Sequence, residues 1–88
     1  MTRTDRIESL LRARFLPHQL EVRDDSQLHA GHPGARSGKG HFHVRIVADA
    51  FTDRPLVECH RMVYAALGDM MSADIHALSL ETLAPEGS

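Results

Sequence analysis

The sequence contains little of what stabilises small secreted proteins or anchors a chain in a membrane. Among its 88 residues there is one cysteine, no tryptophan and only 5 % aromatic residues. A single cysteine cannot form an internal disulfide, so a disulfide-stapled scaffold is excluded. No signal peptide and no apolar run of membrane-spanning length is found, from which we expect a cytoplasmic protein with no membrane partner.

A surplus of basic charge is also lacking. The formal net charge is −2 with the histidines neutral. Residues 1–61 carry ten basic and eight acidic side chains, a net of +2, whereas residues 62–88 carry four acidic side chains and no lysine or arginine, a net of −4. Tight nonspecific binding to nucleic acid requires a clearly basic face, so this balance allows at most a local basic patch.

The short length limits the chain to one domain. A chain of this size buries only about 60 to 65 % of the surface that it exposes when unfolded, so a deep, enclosed active site is not expected. The sequence also has no Gly-x-Ser-x-Gly elbow, the usual site of a hydrolase serine. We therefore predict a single, non-enzymatic domain over residues 1–88, with a core at about 4–83, a flexible loop at about 27–40 and a frayed tail at 84–88.

The spacing of apolar residues predicts the order α-β-β-α-β, an α+β fold in which helices pack on one face of a three-stranded sheet. Four glycines and a proline between residues 27 and 40 disfavour regular structure there. The predicted elements are a helix over residues 4–15, a strand over 20–22, a strand over 41–48, a helix through 56–67 and a strand over 75–83.

Capping side chains mark where both helices are expected to begin. Thr4 or Asp5 can accept a hydrogen bond from the unpaired amides of the first helix, and Thr52 or Asp53 can do so for the second. Gly68 is expected to break or bend the second helix near its end.

Histidine is the abundant residue type, with seven in the chain. His29 and His32 stand three residues apart in the glycine-rich loop and can reach one metal ion, although such loops commonly carry solvated histidines. A closed zinc site needs four ligands, and the remaining candidates, Cys59 and His76, are scattered along the sequence. If metal binds, we expect this chain to supply only part of a shared coordination sphere.

The residues of the second helix and of the last strand have structural interpretations as well. His76 shares a face with Leu78 in a strictly alternating strand, where a histidine is usually a hydrogen-bonded core residue. Cys59 has no second cysteine nearby, which favours a buried, inert thiol. His60 and Arg61 follow Cys59. They can form a small charged patch, or they can simply lie on the solvent-exposed face of the helix.

Four segments, in order, resemble the BolA-like protein family, and together they cover about residues 4–83. The first is the strand and loop that contain Leu20-Glu21-Val22, Asp24-Asp25-Ser26 and His29-Ala30-Gly31-His32. The others are His41-Phe42-x-Val44-x-Ile46-Val47, Phe51 through His60-Arg61-Met62-Val63-Tyr64, and Ile75-His76-Ala77-Leu78. Two positions depart from the family pattern: Asp53 stands where glycine is usual, and Cys59 replaces the first arginine of an Arg-His-Arg motif.

The resemblance implies a class II K-homology-like fold and an adaptor role in iron–sulfur cluster handling. In the family, a monothiol glutaredoxin and glutathione hold one side of a [2Fe-2S] cluster, and the BolA-like partner supplies two ligands. Carried over, these ligands are His76 and either His29, counting forward from Asp24-Asp25-Ser26, or His32, counting back from His41-Phe42. We favour His29, which follows the strand at the family's usual distance. The implied pair is of the two-histidine type, which raises a cluster's potential as in Rieske centres.

A second function implied by the same resemblance is that of a K-homology-like, DNA-binding transcriptional regulator of stress response and cell morphology. His60 and Arg61 would then contact nucleic acid. The net charge, the arginine lost at Cys59 and the absence of a Gly-x-x-Gly clamp all count against it. A third possibility is a homodimer of the chain alone, in which the same histidines bind adventitious metal.

Overall fold

The computed structural model describes residues 2–25 and 40–85. These residues confirm the predicted α-β-β-α-β order and add two short elements to it. The elements are α1 (Arg3–Phe15), β1 (Gln19–Asp24), β2 (Gly40–Val47), a 3-10 turn (Asp49–Phe51), α2 (Leu56–Leu67), α3 (Met70–Ala73) and β3 (Ile75–Leu83). None of the described helices is long and apolar enough to cross a membrane.

The three strands form one mixed sheet in the order β1-β2-β3. β1 runs antiparallel to β2, and β3 runs parallel to it. A parallel pair cannot be joined by a tight turn, so the chain crosses over through α2 and α3 between β2 and β3. β2 therefore lies at the centre, and its inward-facing residues Phe42, Val44 and Ile46 are buried.

The core lies between one face of this sheet and the helices, as predicted. α1 contributes Ile7, Leu11 and Phe15, which are spaced four residues apart and so fall on one stripe of the helix. Further core residues come from the 3-10 turn, the other two helices and β3; they are Phe51, Cys59, Val63, Leu67, Met70 and Ile75. Phe15 and Phe51 contact each other with ring centroids 5.2 Å apart.

The helix starts differ from the predicted ones. Thr2, rather than Thr4 or Asp5, caps α1: the Asp5 amide donates to Thr2 Oγ1 at 3.1 Å, and the Thr2 amide donates to Asp5 Oδ2 at 3.2 Å. This reciprocal pair is a capping box, which explains why the helix begins one residue early. Pro55 stands at the N-cap of α2 with no side-chain cap. Neither Thr52 nor Asp53 caps it as predicted, because the helix begins later, and Asp53 adopts a left-handed φ of 58° on the way to it.

The end of α2 agrees with the sequence. α2 stops at Leu67, and Gly68 separates it from α3. Gly68 adopts φ 55° and ψ −127°, a left-handed combination that residues with a Cβ rarely reach. Glycine is therefore required at this position for the chain to turn from α2 towards β3.

The pairing between β2 and β3 contains a bulge at its start. Gly40 pairs with Ile75, but the next pair joins His41 to Ala77, which leaves His76 as the extra residue. The prediction that His76 shares a face with Leu78 is wrong for this reason. Ile75 and Leu78 both pack on the core although three positions separate them, so the two residues between them must both stand off the core side.

Candidate functional site

His76 is exposed at the beginning of β3 and contacts a second histidine. Its ring centroid lies 4.9 Å from that of His41, and the ring planes are tilted by 53°. His41 alternates with the buried Phe42 along β2, so its side chain lies on the sheet face away from the core. The β3 bulge thus brings two imidazoles from neighbouring strands together on the polar face.

His41 is not among the residues that the sequence singles out as functional. The alternation in β2 does place it on the polar face, and the resemblance singles out His76 on β3. What joins the two is the register of β2 against β3, together with the bulge within it. Strict alternation predicts His76 on the opposite face, so the sequence alone does not predict this pair.

Both ends of the segment that contains the predicted loop ligands lie next to this histidine pair. The Asp25 amide donates to the His41 carbonyl at 2.7 Å, and the Gly40 amide donates to the Asp74 carbonyl at 2.9 Å. His29 and His32 themselves lie outside the described residues. His29 follows Asp25 by four residues, so covalent geometry alone keeps it within about 14 Å of Asp25.

The start of β3 is tied to α1 through Asp74. Arg3 Nε donates to Asp74 Oδ1 and Arg6 Nη1 donates to Asp74 Oδ2, each at 3.3 Å. The Asp74 side chain is 18 % exposed, so it is more enclosed than either arginine. Each carboxylate oxygen therefore has its own cationic partner two residues before His76.

Further along the polar face, charged side chains of opposite sign neutralise one another. Glu81 lies 3.4 Å from His43 Nε2 and 3.6 Å from Arg45 Nε. Arg45 also donates from Nη1 to Gln19 Oε1 at 3.0 Å. His43 is therefore paired with a carboxylate, whereas His76 faces another imidazole. One part of this face therefore carries a histidine beside a carboxylate, and the other carries two histidines in contact.

The remaining candidate residues lie apart from the histidine pair. Cys59 is buried, as predicted, and its thiol donates to the carbonyls of Phe51 and Arg54 at 3.9 and 3.8 Å. His60 is half-buried, and its Nε2 makes no hydrogen bond within the described part of the chain. Arg61 is exposed, and successive helix positions point about 100° apart. His60 and Arg61 therefore face different directions.

A cavity formed by described residues lies apart from the histidine pair. It has a volume of about 370 Å³ and lies at the other end of the strands. Its lining includes His18, Arg45, Val47, Leu83 and Pro85. Because β2 begins beside His41 and ends at Val47, the length of the strand separates the cavity from the histidine pair.

The donor set around His76 fits half of a shared metal centre. Within residues 2–25 and 40–85, no group of three or more histidine, cysteine, aspartate or glutamate side chains is arranged to hold a metal ion. The described donors are the exposed imidazole of His76 and the contacting imidazole of His41, so they are nitrogen ligands on one face of the sheet. In Rieske centres two histidines ligate one of the two irons, so a nitrogen-ligated side is compatible with a [2Fe-2S] cluster.

Comparisons with known proteins give matches over nearly the whole chain. A family model described as BolA-like protein matches residues 11–87. SufE-like protein 1, chloroplastic/mitochondrial, from Arabidopsis thaliana is 41 % identical over 85 residues, which is 91 % of this chain and 23 % of that protein. The DNA-binding transcriptional regulator BolA from Escherichia coli is 44 % identical over 78 residues, which is 89 % of this chain and 71 % of that protein.

A solved structure agrees with these sequence matches. The BolA domain of SufE1 from Arabidopsis thaliana superposes with a TM-score of 0.85 at 40 % sequence identity. The superposition covers 100 % of this chain and 98 % of that one. The described helices and the mixed sheet therefore have the same fold as this solved domain.

Proposed function

This chain belongs to the BolA-like family, and from that premise we propose that it is a non-enzymatic adaptor that pairs with a monothiol glutaredoxin to share a bridging [2Fe-2S] cluster. Such an adaptor serves iron–sulfur cluster assembly, cluster transfer, or iron and redox sensing. The observation that carries the proposal is the exposed imidazole of His76, held against His41 at the start of β3.

His76 is the proposed ligand from the described residues, and His29 is the second. His29 is tethered by only four residues to Asp25, whose amide is bonded to the His41 carbonyl. His32 stands seven residues from Asp25 and eight from Gly40, so its tether is longer from either end. A shorter tether costs less entropy to close, which favours His29 over His32 as the second ligand.

The partner completes what this domain cannot supply alone. A [2Fe-2S] cluster takes four ligands, and the proposed pair provides two. The glutaredoxin cysteine and glutathione would provide the others, and the bound cluster would supply one-electron chemistry or iron and sulfide for transfer. In this proposal His76 of β3 and His29 of the predicted loop are the two nitrogen ligands, and neutral imidazole in place of thiolate would raise the potential of the cluster.

The test is to mix the protein with a cluster-loaded monothiol glutaredoxin and to record visible absorption, circular dichroism and the elution volume. We expect a changed dichroism spectrum and a heterodimer. His76→Ala should shorten the cluster lifetime, whereas the matched control His43→Ala, on the same sheet face but paired with Glu81, should not.

An unchanged wild-type spectrum without a heterodimer would overturn the proposal. An unaffected lifetime in His76→Ala would overturn the ligand assignment, and His29→Ala compared with His32→Ala identifies the second ligand.

A second candidate function is DNA binding, favoured by the name of the Escherichia coli relative, a DNA-binding transcriptional regulator. The position of Cys59 weakens it, because this buried side chain stands where the family motif has an arginine. Fluorescence anisotropy with labelled duplex DNA at two salt concentrations is the test. Submicromolar binding that weakens steeply with salt, and that Arg61→Gln reduces, would favour this function. Binding that is absent at low salt would exclude it.

A further inference from the structure

Asp74 connects three elements at the point where β3 begins. Its carboxylate accepts hydrogen bonds from Arg3 and Arg6 in the first turns of α1. Its amide donates to the Met70 carbonyl at 3.0 Å and so closes α3, and its carbonyl accepts the Gly40 amide at the start of β2. One residue therefore ties α1, α3 and β2 together, and the bulged His76 follows two positions later.

The geometry of a bulged residue depends on its flanks. His76 has no opposite residue in the β2–β3 register, so the sheet ladder does not hold it directly. On one side, Ala77 is paired with His41. On the other, Ile75 is buried in the core and Asp74 precedes it. The backbone of His76 is thus held only through its flanks, by Ala77 on the C-terminal side and by Ile75 and Asp74 on the N-terminal side.

We propose that Asp74 is the positioning residue for His76. The Asp74 clamp, defined as Asp74 with its two arginine partners Arg3 and Arg6, holds the β3 bulge so that the His76 imidazole stands against His41. The inference rests on the proposed function only for the cluster that His76 would bind. The positioning itself is a property of the free protein and can be measured without any partner.

The clamp differs from an ordinary surface ion pair in its enclosure and in its geometry. The Glu8–Arg12 pair on α1 joins two well-exposed side chains of one helix at 3.0 Å. Such exposed pairs contribute little to stability. Asp74 is 18 % exposed, and its arginines reach it from another element. Because Asp74 directly precedes β3, removing the clamp should disturb the adjacent bulge far more than it disturbs the rest of the fold.

The first test uses Asp74→Asn, which keeps the shape of the side chain and removes its charge, with Arg12→Gln as the control that breaks the Glu8 pair instead. Nuclear Overhauser effects between the His41 and His76 rings report the ring contact. Hydrogen exchange of the Gly40 amide, whose acceptor is the Asp74 carbonyl, reports the bulge, and the Val44 amide serves as an internal reference for global opening.

In Asp74→Asn we expect the ring contact to be lost and Gly40 exchange to rise about tenfold, with Val44 exchange unchanged. Arg12→Gln should leave all three signals as in the wild type. Retention of the ring contact in Asp74→Asn would overturn the inference. An equal acceleration at Gly40 and Val44 would overturn it too, because the clamp would then stabilise only the whole fold.

The second test measures the lifetime of the shared cluster with the glutaredoxin. Asp74→Asn should shorten it about tenfold, in the range seen when a supporting residue behind a metal ligand is removed. A wild-type protein that forms no shared cluster would refute the proposed function, while the ring contact in the free protein would still decide the role of Asp74. A wild-type lifetime in Asp74→Asn would overturn the positioning role.

Discussion

Asp53 adopts a backbone conformation that few L-residues favour, with φ of 58°. Glycine reaches this region without a steric penalty, and aspartate tolerates it better than most other residues. The glycine usual in the family at this position is therefore explained by the path of the backbone between the 3-10 turn and α2. The departure at Asp53 concerns stability, whereas the departure at Cys59 replaces a basic side chain by a buried thiol.

Asp53→Gly is expected to stabilise the protein by roughly 0.5 kcal/mol, because relief of the left-handed strain slightly exceeds the added entropy of the unfolded chain. Urea unfolding followed by far-ultraviolet circular dichroism measures the change. Ala65→Gly is the control, since the same substituent at an exposed position inside α2 should cost about 1 kcal/mol. A destabilised Asp53→Gly would contradict the argument.

Asp5 gives the protein a small dependence of stability on acid pH. Hydrogen bonds from the backbone amide and the side chain of Thr2 hold the pKa of Asp5 below its ordinary value of 3.8. At pH values near these two pKa values, the folded state therefore binds fewer protons than the unfolded chain. The capping box contributes fully above the unfolded pKa, and its contribution is lost as the pH falls through the lower folded pKa.

Asp5→Asn keeps an oxygen acceptor for the Thr2 amide but cannot be protonated in this range. We expect its unfolding free energy to fall less than that of the wild type between about pH 6 and about pH 3. Urea unfolding at both pH values is the measurement, with Asp53→Asn as the control for loss of an exposed aspartate. Equal losses in Asp5→Asn and the wild type would show that the carboxylate does not contribute.

At the scale of the elements, Phe51 explains why the short 3-10 turn exists. The turn places the Phe51 ring 5.2 Å from the Phe15 ring of α1, with both rings buried. The backbone carbonyl of Phe51 also accepts a hydrogen bond from the Cys59 thiol of α2. One turn of three residues thus joins the two long helices, which are adjacent in the core but distant in the sequence.

Phe51→Ala should destabilise the protein by about 3–5 kcal/mol, because it removes a buried ring and leaves a cavity between α1 and α2. Phe51→Leu retains most of the apolar volume and should cost clearly less. Chemical denaturation of the two variants side by side checks the order. Equal costs would contradict this argument, because the destabilisation would then come from loss of the ring contact with Phe15 and not from lost volume.

The elements differ in how well the sequence predicts them. The strand over 75–83 and the break at Gly68 are predicted where they occur, because alternation and glycine are local signals. The β3 bulge depends on the register against β2, which is set by contacts between distant residues. The contact between the two histidines depends on the same register. Resemblance to the family identifies His76, whereas only the assembled sheet shows that His41 contacts it.

At the scale of the whole molecule, the described residues share one core. Helices, turn and sheet all contribute to the same cluster of buried side chains, and Cys59 lies within it at 3 % exposure. A domain of this size with one core is expected to unfold in a single cooperative step. The only cysteine of the chain can therefore report on the state of the entire fold.

We expect Cys59 to resist alkylation by iodoacetamide in the native protein and to react as the protein unfolds. The urea midpoint for labelling, at a pulse short enough to leave the equilibrium undisturbed, should coincide with the midpoint from circular dichroism. Ser79→Cys, on an exposed position of β3, is the positive control and should react without denaturant. Labelling of Cys59 well below the transition would indicate local opening of α2.

The parallel pairing of β2 with β3 also determines when, during synthesis and folding, the contact between His41 and His76 can form. β1 and β2 contribute an antiparallel ladder early in the chain, whereas β3 is the last element and docks only after α2 and α3 have been made. Pairings between segments far apart in sequence carry a high closure cost and form late in folding. A growing polypeptide therefore holds His41 before His76, and the contact between the two rings forms only after β3 has been made and has docked beside β2.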